Sequence, residues 1–199
     1  IAGRVRVPGD KSISHRAALL SVLARGPVTI RNYGSGADVQ ATLAAVRQLG
    51  VGVAEESDHL VLTPPERLNA DEPLIIDCGN SGTTVRLLAG LASGAGLSLT
   101  LTGDNSLSRR PMKRIIDPLT EMGARIGGDD GHLPLTIEKG ELLPFEYRLP
   151  VPSAQVKSSI LLAGLASGRS VTIREDIVSR DHTEIMGDPD HGHAEALLQ

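Results

Sequence analysis

Apolar residues recur at helical spacing in three runs, Ala17–Leu23, Thr84–Leu91 and Val156–Leu165. Each run ends in nearly the same phrase: Leu23-Ala24-Arg25-Gly26, Leu91-Ala92-Ser93-Gly94 and Leu165-Ala166-Ser167-Gly168. The glycine is predicted to close the helix each time. A short β-rich segment follows: Val28-Thr29-Ile30, Leu97-Ser98-Leu99-Thr100-Leu101 and Val171-Thr172-Ile173. In the first two copies a polar loop comes next, Asn32–Asp38 and Gly103–Pro111. A second amphipathic helix then spans Val39–Leu49 and Lys113–Met122, and two short strands follow, each set containing His-Leu-x-Leu-Thr from His59 and His132. A strand-like segment around Val5 and Val7 precedes the first helix, so the unit reads βαβαββ.

Repetition of a whole unit in order predicts a pseudo-threefold α/β (α+β) domain with its helices packed inside. The third unit is incomplete. Gly187-Asp188-Pro189 is a poor start for the expected amphipathic helix, and only Ala194–Leu198 reads as helical beyond it. The predicted division is a leading strand at 1–9, a repeat domain at 10–184 with units about 10–78, 79–152 and 153–184, and an atypical tail at 185–199.

Chemistry gathers at the helix starts. Pro8-Gly9-Asp10-Lys11-Ser12-Ile13-Ser14-His15-Arg16 turns from strand into helix, with Ser12 or Ser14 as the predicted cap. Backbone N–H groups and the positive dipole end, beside Lys11 and Arg16, suit an anion. The phosphate-loop pattern Gly-x4-Gly-Lys-Ser is absent. The second start, Gly79-Asn80-Ser81-Gly82-Thr83-Thr84-Val85-Arg86, offers caps and close backbone approach, and the third, Val151-Pro152-Ser153-Ala154-Gln155-Val156-Lys157, offers Ser153 as cap with Gln155 and Lys157 as donors. Arg109 and Arg110 precede a helix predicted to have Pro111 at its first position, and Arg180 lies in the third copy's loop. Arginine binds phosphate or carboxylate bidentately, although surface pairing, such as Arg180 with Asp181 or Glu184, competes with that role. Three equivalent starts in one pseudo-symmetric body are expected to converge at one end.

Composition narrows the partner. The chain has 199 residues, a formal net charge of −4 and 2% aromatic residues, against the basic, aromatic-rich surfaces that bind nucleic acid. One cysteine, Cys78, excludes an intrachain disulfide and suits a reducing cytosol; set among apolar residues, it reads as buried rather than nucleophilic. No apolar stretch is long enough to span a membrane and no signal peptide is visible, so a cytoplasmic location is expected. His182, Asp188, Asp190, His191 and His193 cluster late in the chain without metal-ligand spacing, and no metal site is predicted.

Five ordered motifs resemble the 5-enolpyruvylshikimate-3-phosphate synthase family: Pro8–Ala17, Gly79–Gly90, Arg110-Pro111-Met112, Ser153–Ser158 and Ser179–Glu184. The cell-wall enolpyruvyl transferases share the repeats, but carry Lys-Asn where this chain has Lys11-Ser12, and a reactive loop cysteine without a counterpart here. The resemblance implies transfer of the enolpyruvyl group of phosphoenolpyruvate to the 5-hydroxyl of shikimate 3-phosphate, with no metal or organic cofactor. It implies two similar domains closing on the substrates, the leading strand belonging to the second. Lys11, Ser12, Arg16, Ser153, Gln155 and Arg180 would bind shikimate 3-phosphate. Lys11, Gly82, Arg110 and Gln155 would bind phosphoenolpyruvate, where glyphosate would compete. Lys11 and Arg110 would also serve catalysis, the main acid/base groups coming from the other domain, so this chain alone is expected to show weak or no activity unless a complementary polypeptide is supplied. The alternative is a non-catalytic anion- or phosphosugar-binding module of the same repeat fold. An RNA-phosphate cyclase-like protein is disfavoured by the acidic charge and scarce aromatics.

Overall fold

The computed structural model describes residues 8–68 and 74–187. Helix α1 (Lys11–Ser21) leads to strand β1 (Val28–Arg31), α2 (Ala37–Gln48), β2 (Gly52–Glu55) and β3 (His59–Thr63). The same order returns as β4 (Leu74–Asp77), α3 (Gly82–Gly94), β5 (Leu99–Thr102), a short α4 (Asn105–Ser108), α5 (Lys113–Glu121), β6 (Arg125–Asp129) and β7 (His132–Glu138). It begins again as β8 (Phe145–Arg148), α6 (Ala154–Ser167), β9 (Val171–Arg174) and α7 (His182–Gly187).

The three sheets have matching connectivity. One is ordered β1-β3-β2, the next β4-β5-β7-β6, and the last β8-β9. In the first two, the strand after the leading helix pairs antiparallel with the last strand, which pairs antiparallel with the strand before it. In the last two, the strand before that helix pairs parallel with the strand after it (β4 with β5, β8 with β9). Parallel neighbours need a crossover, and α3 and α6 supply it.

These crossover helices are interior elements. Leu87, Leu88 and Leu91 on α3 and Ile160 and Leu162 on α6 are fully buried in one continuous aliphatic core. Each such side chain stabilises the fold by about 2 kcal/mol relative to exposure. Helices α3 and α6 form the most closely packed helix pair, while α2 packs on α1 and α3, and α5 on α3 and α6. A Cβ on Gly90 would stand 2.0 Å from the Ser159 carbonyl oxygen, and one on Gly94 would stand 2.2 Å from that of Ala163. Glycines four apart on one helix face therefore let the two backbones touch.

Several boundaries differ from expectation. Helix α1 starts at Lys11 because Asp10, not Ser12 or Ser14, is its N-cap. Pro111 lies outside α5, whose N-cap is Met112. The predicted loop at Gly103–Pro111 contains α4, capped by Asp104, and α7 begins at His182, two residues after Arg180 of the third copy's predicted loop. Gly168 closes α6 with φ 66°, whereas α3 includes Gly94 and the positive φ falls two residues later at Gly96. The strand-like Val5 and Val7 and the tail residues 188–199, with Asp188, Asp190, His191 and His193, lie outside the described residues. Among the described residues no helix is long and apolar enough to cross a membrane, and no group of acidic, His or Cys side chains is placed to hold a metal ion.

Candidate active site

The site is built at the ends where α1, α3 and α6 begin. Asp10 Oδ1 accepts the Ile13 N–H at 2.8 Å, and that bond holds the Asp10 carboxyl below the usual range. Ser81 caps α3 by accepting the Thr84 N–H, and Ser153 caps α6 by accepting that of Val156. Beneath the caps a buried polar chain joins three helices: His15 Nδ1 to Thr42 Oγ1 at 2.6 Å, Thr42 to Thr84 Oγ1 at 2.6 Å, and Thr84 to Ser81 Oγ at 2.7 Å. Burial, reinforced by Lys11, pushes the His15 imidazole down to about 4, so it is neutral near pH 7.

A cavity of about 420 Å³ opens over these starts, lined by Ser12 and Arg16 from α1, Thr83 from α3, Ser153 and Gln155 at the head of α6, and Ser179, Arg180 and His182 from the segment around α7. Its lining is mainly polar, unlike the apolar hollow between Leu20, Leu161, Leu165 and Val171. Arg16 is 3% exposed. Its guanidinium donates from Nε to Thr183 Oγ1 and from Nη2 to Ser158 Oγ, each at 2.6 Å, and from Nη1 to the Ser12 carbonyl at 3.1 Å. These neutral acceptors fix its plane, and among the described residues no carboxylate is bonded to it directly. Burial lowers the Arg16 pKa, and the nearby Glu184 charge opposes that shift.

Beside the cavity lies a second cationic patch. Gln155 bridges the two, donating from Nε2 to Thr83 Oγ1 at 3.0 Å and accepting from Arg86 Nη1 at 3.2 Å. Arg86 also donates to the Gly82 carbonyl at 3.1 Å. A Cβ on Gly82 would stand 2.6 Å from Arg86 Nη1 and 3.2 Å from Arg110 Nη1, so the missing side chain is what lets two guanidinium groups crowd the start of α3. Burial and the charges of Arg114 and Arg110 lower the Arg86 pKa. Arg110 is anchored by Asn80 Oδ1 at 2.5 Å. Such a concentration of positive charge favours an arriving anion.

All three starts converge as expected, and Ser12, Arg16, Ser153, Gln155 and Arg180 share one cavity. Gly82 and Arg110 border it through Arg86 and Gln155. Lys11 stands apart from that cavity, ion-paired with Asp38 in a neighbouring hollow formed with Gly34, Ser35 and Gly36. The Arg180 pairing with Asp181 or Glu184 is not among the salt bridges of the described residues; Glu184 pairs with Lys157 instead. Sequence reasoning assigned no role to Arg86 or His182, and placed Thr83 only among the caps and donors of the second helix start. Arg86 was findable, because it follows Gly82 by four residues and so shares its helix face. Cys78 is buried, which pushes its thiol up to about 12 and confirms a packing residue.

The fold is that of an enolpyruvyl transferase-type domain. The enolpyruvyl transferase NikO from Streptomyces tendae shares this fold at a TM-score of 0.57 and 20% identity, over 86% of this chain and 39% of that one. A model of the family described as EPSP synthase (3-phosphoshikimate 1-carboxyvinyltransferase) matches residues 1–186, and the chain belongs to that family. It is 51% identical to the 3-phosphoshikimate 1-carboxyvinyltransferase of Salinibacter ruber and 50% identical to that of Alkalilimnicola ehrlichii, over 94% of this chain in both cases. The EPSP synthase structure from Acinetobacter baumannii superposes with a TM-score of 0.84 at 40% identity, over 92% of this chain and 42% of that one. The chain thus spans less than half the length of the relatives it matches, 44% and 43% for the first two.

Proposed function

We propose that this chain forms the shikimate-3-phosphate-binding part of an enzyme that transfers the enolpyruvyl group of phosphoenolpyruvate to the 5-hydroxyl of shikimate 3-phosphate. The observation that carries this reading is the cavity shared by Ser12, Arg16, Ser153, Gln155 and Arg180. In it, Arg180 and the hydroxyls of Ser12 and Ser153 hold the phosphate of the sugar-like acid, with Arg16 as the buried charge behind them. Gln155 spans to the second patch, where Arg86, Arg110 and the bare backbone of Gly82 take phosphoenolpyruvate. Lys11 leaves Asp38 to bind between the two ligands, and glyphosate competes on the Lys11, Gly82 and Arg110 side.

The reaction adds the 5-hydroxyl oxygen to C2 of phosphoenolpyruvate while C3 gains a proton, then expels phosphate as C3 loses one. The residues present supply positioning and charge stabilisation for that tetrahedral intermediate. Proton transfer falls chiefly to groups of the remaining half of the enzyme, and the setting is the cytoplasm.

Titration calorimetry tests the reading with shikimate 3-phosphate against unphosphorylated shikimate. The phosphorylated ligand is expected to bind saturably and more tightly. Arg180→Ala, which removes an exposed side chain, should weaken it about tenfold, the scale of one charged hydrogen bond. Equal binding of both ligands, or an affinity indifferent to Arg180→Ala, would overturn it. A non-catalytic anion-binding module predicts instead no strengthening by phosphoenolpyruvate when the complementary half is present.

A further inference from the structure

Arg180 reaches the cavity on a segment that little apolar packing holds in place. Between Glu175 and α7, Ile177 is 67% exposed and Val178 is 84% exposed. What ties the segment down is polar. Glu175 at its start and Glu184 on α7 both turn inward to Lys157 on α6, whose Nζ lies 2.5 Å from Glu175 Oε1 and 2.6 Å from Glu184 Oε1. The Lys157 side chain is 5% exposed. The other oxygen of Glu175 accepts the Ser179 N–H at 3.0 Å, one residue before Arg180. The other oxygen of Glu184 is buried without a hydrogen-bond partner, so Lys157 is its anchor. Thr183, next to Glu184, accepts from Arg16 and donates to Ser158 Oγ.

We infer that Lys157 is a positioning residue: by clasping Glu175 and Glu184 it closes the intervening loop and holds Arg180 over the cavity without touching the ligand itself. The inference rests on the reading of that cavity as an anion site. Two carboxylates converging on one buried point repel unless a cation lies between them, so the loop keeps its shape only while the ammonium is there. Burial by itself would lower the Lys157 pKa, but the hydrogen bonds and charges of Glu175 and Glu184 outweigh it and hold it above its ordinary value. Burial by itself would raise the Glu175 pKa, but the hydrogen bonds from Lys157 and Ser179 and the Lys157 charge outweigh it and hold the carboxyl below its ordinary range. Lys157 and Glu175 are therefore both charged near neutral pH.

The test uses the whole chain with a nitroxide label at Val178→Cys and, as control, at the exposed Ile75→Cys; buried Cys78 stays unlabelled. Lys157→Met is expected to loosen the label at 178, leave that at 75 unchanged, and weaken shikimate 3-phosphate by up to about tenfold, the loss expected of Arg180→Ala. Lys157→Arg, which keeps the charge, should recover most of that loss. An ordered label at 178 in Lys157→Met, or an affinity within twofold of the parent, overturns the inference. If Lys157→Met loosens both labels, the chain has unfolded and Glu184→Gln, at a side chain 36% exposed, takes its place. It should move the label at 178 in the same direction to a smaller extent, and no movement there overturns the clasp. A parent chain that fails to bind shikimate 3-phosphate, while Lys157→Met still loosens the label at 178 alone, overturns the proposed ligand and not the clasp.

Discussion

His15 sits beside the cationic pair Lys11 and Arg16 on a helix built to receive an anion, yet it is fully buried and bonded to Thr42. Its folded-state pKa, about 4, lies below the value near 6.5 of an unfolded chain. Between those values the unfolded state binds the extra proton, so stability is complete above about pH 6.5 and falls as pH drops toward 4. The full loss amounts to about 3 kcal/mol for this group. Denaturant unfolding at about pH 7 and about pH 4.5 should show the parent losing more stability than His15→Gln. Equal losses would remove His15 as the source. At this scale the sequence was informative about residue type and mute about partner. Arg16 and Lys157 both read as helix-borne cations, but one donates to neutral hydroxyls while the other is sandwiched by two glutamates. Partners more than a hundred residues away, such as Arg16 and Thr183, leave no local trace.

The helix starts carry the site, and their motifs were legible because caps and dipoles are local. The identity of the cap was not always so. Asp10 takes the role at α1 because it stands just before the first helical residue and accepts the Ile13 N–H. Ser12 and Ser14 lie inside the helix, Ser14 donating to the Asp10 carbonyl and accepting the Gly34 N–H. The pairing of α3 with α6 was invisible in the pattern: Gly94 was read as the close of its helix, and nothing in the sequence marked Gly90 as a point of backbone contact. Gly90→Ala forces a Cβ against the Ser159 carbonyl, and thermal or denaturant unfolding should report a loss of about 3 kcal/mol, with Ala92→Ser on the same helix costing less. Parent-like stability of Gly90→Ala would mean that the helices are not in backbone contact.

For the whole molecule, a chain of net charge −4 presents a cluster of cations at one end of its helix bundle. That end is where the other half of an EPSP synthase is proposed to close. Mixing the chain with a separately expressed complementary half should therefore restore phosphate release from phosphoenolpyruvate and shikimate 3-phosphate, and Arg110→Ala should abolish most of it. Full turnover by this chain alone would refute the division of labour.

The sequence alone determined the repeated unit, the aliphatic core and the motif-bearing helix starts, because periodicity, turn chemistry and capping act over a few residues. It also held the resemblance that the family match bears out. Only the tertiary structure decided which charges meet: Lys11 with Asp38, Arg86 beside Arg110 over Gly82, and Lys157 between Glu175 and Glu184. Those contacts depend on how closely α1, α3 and α6 pack, and helix packing is settled by backbone approach and side-chain volume across the core, between residues the chain order keeps far apart.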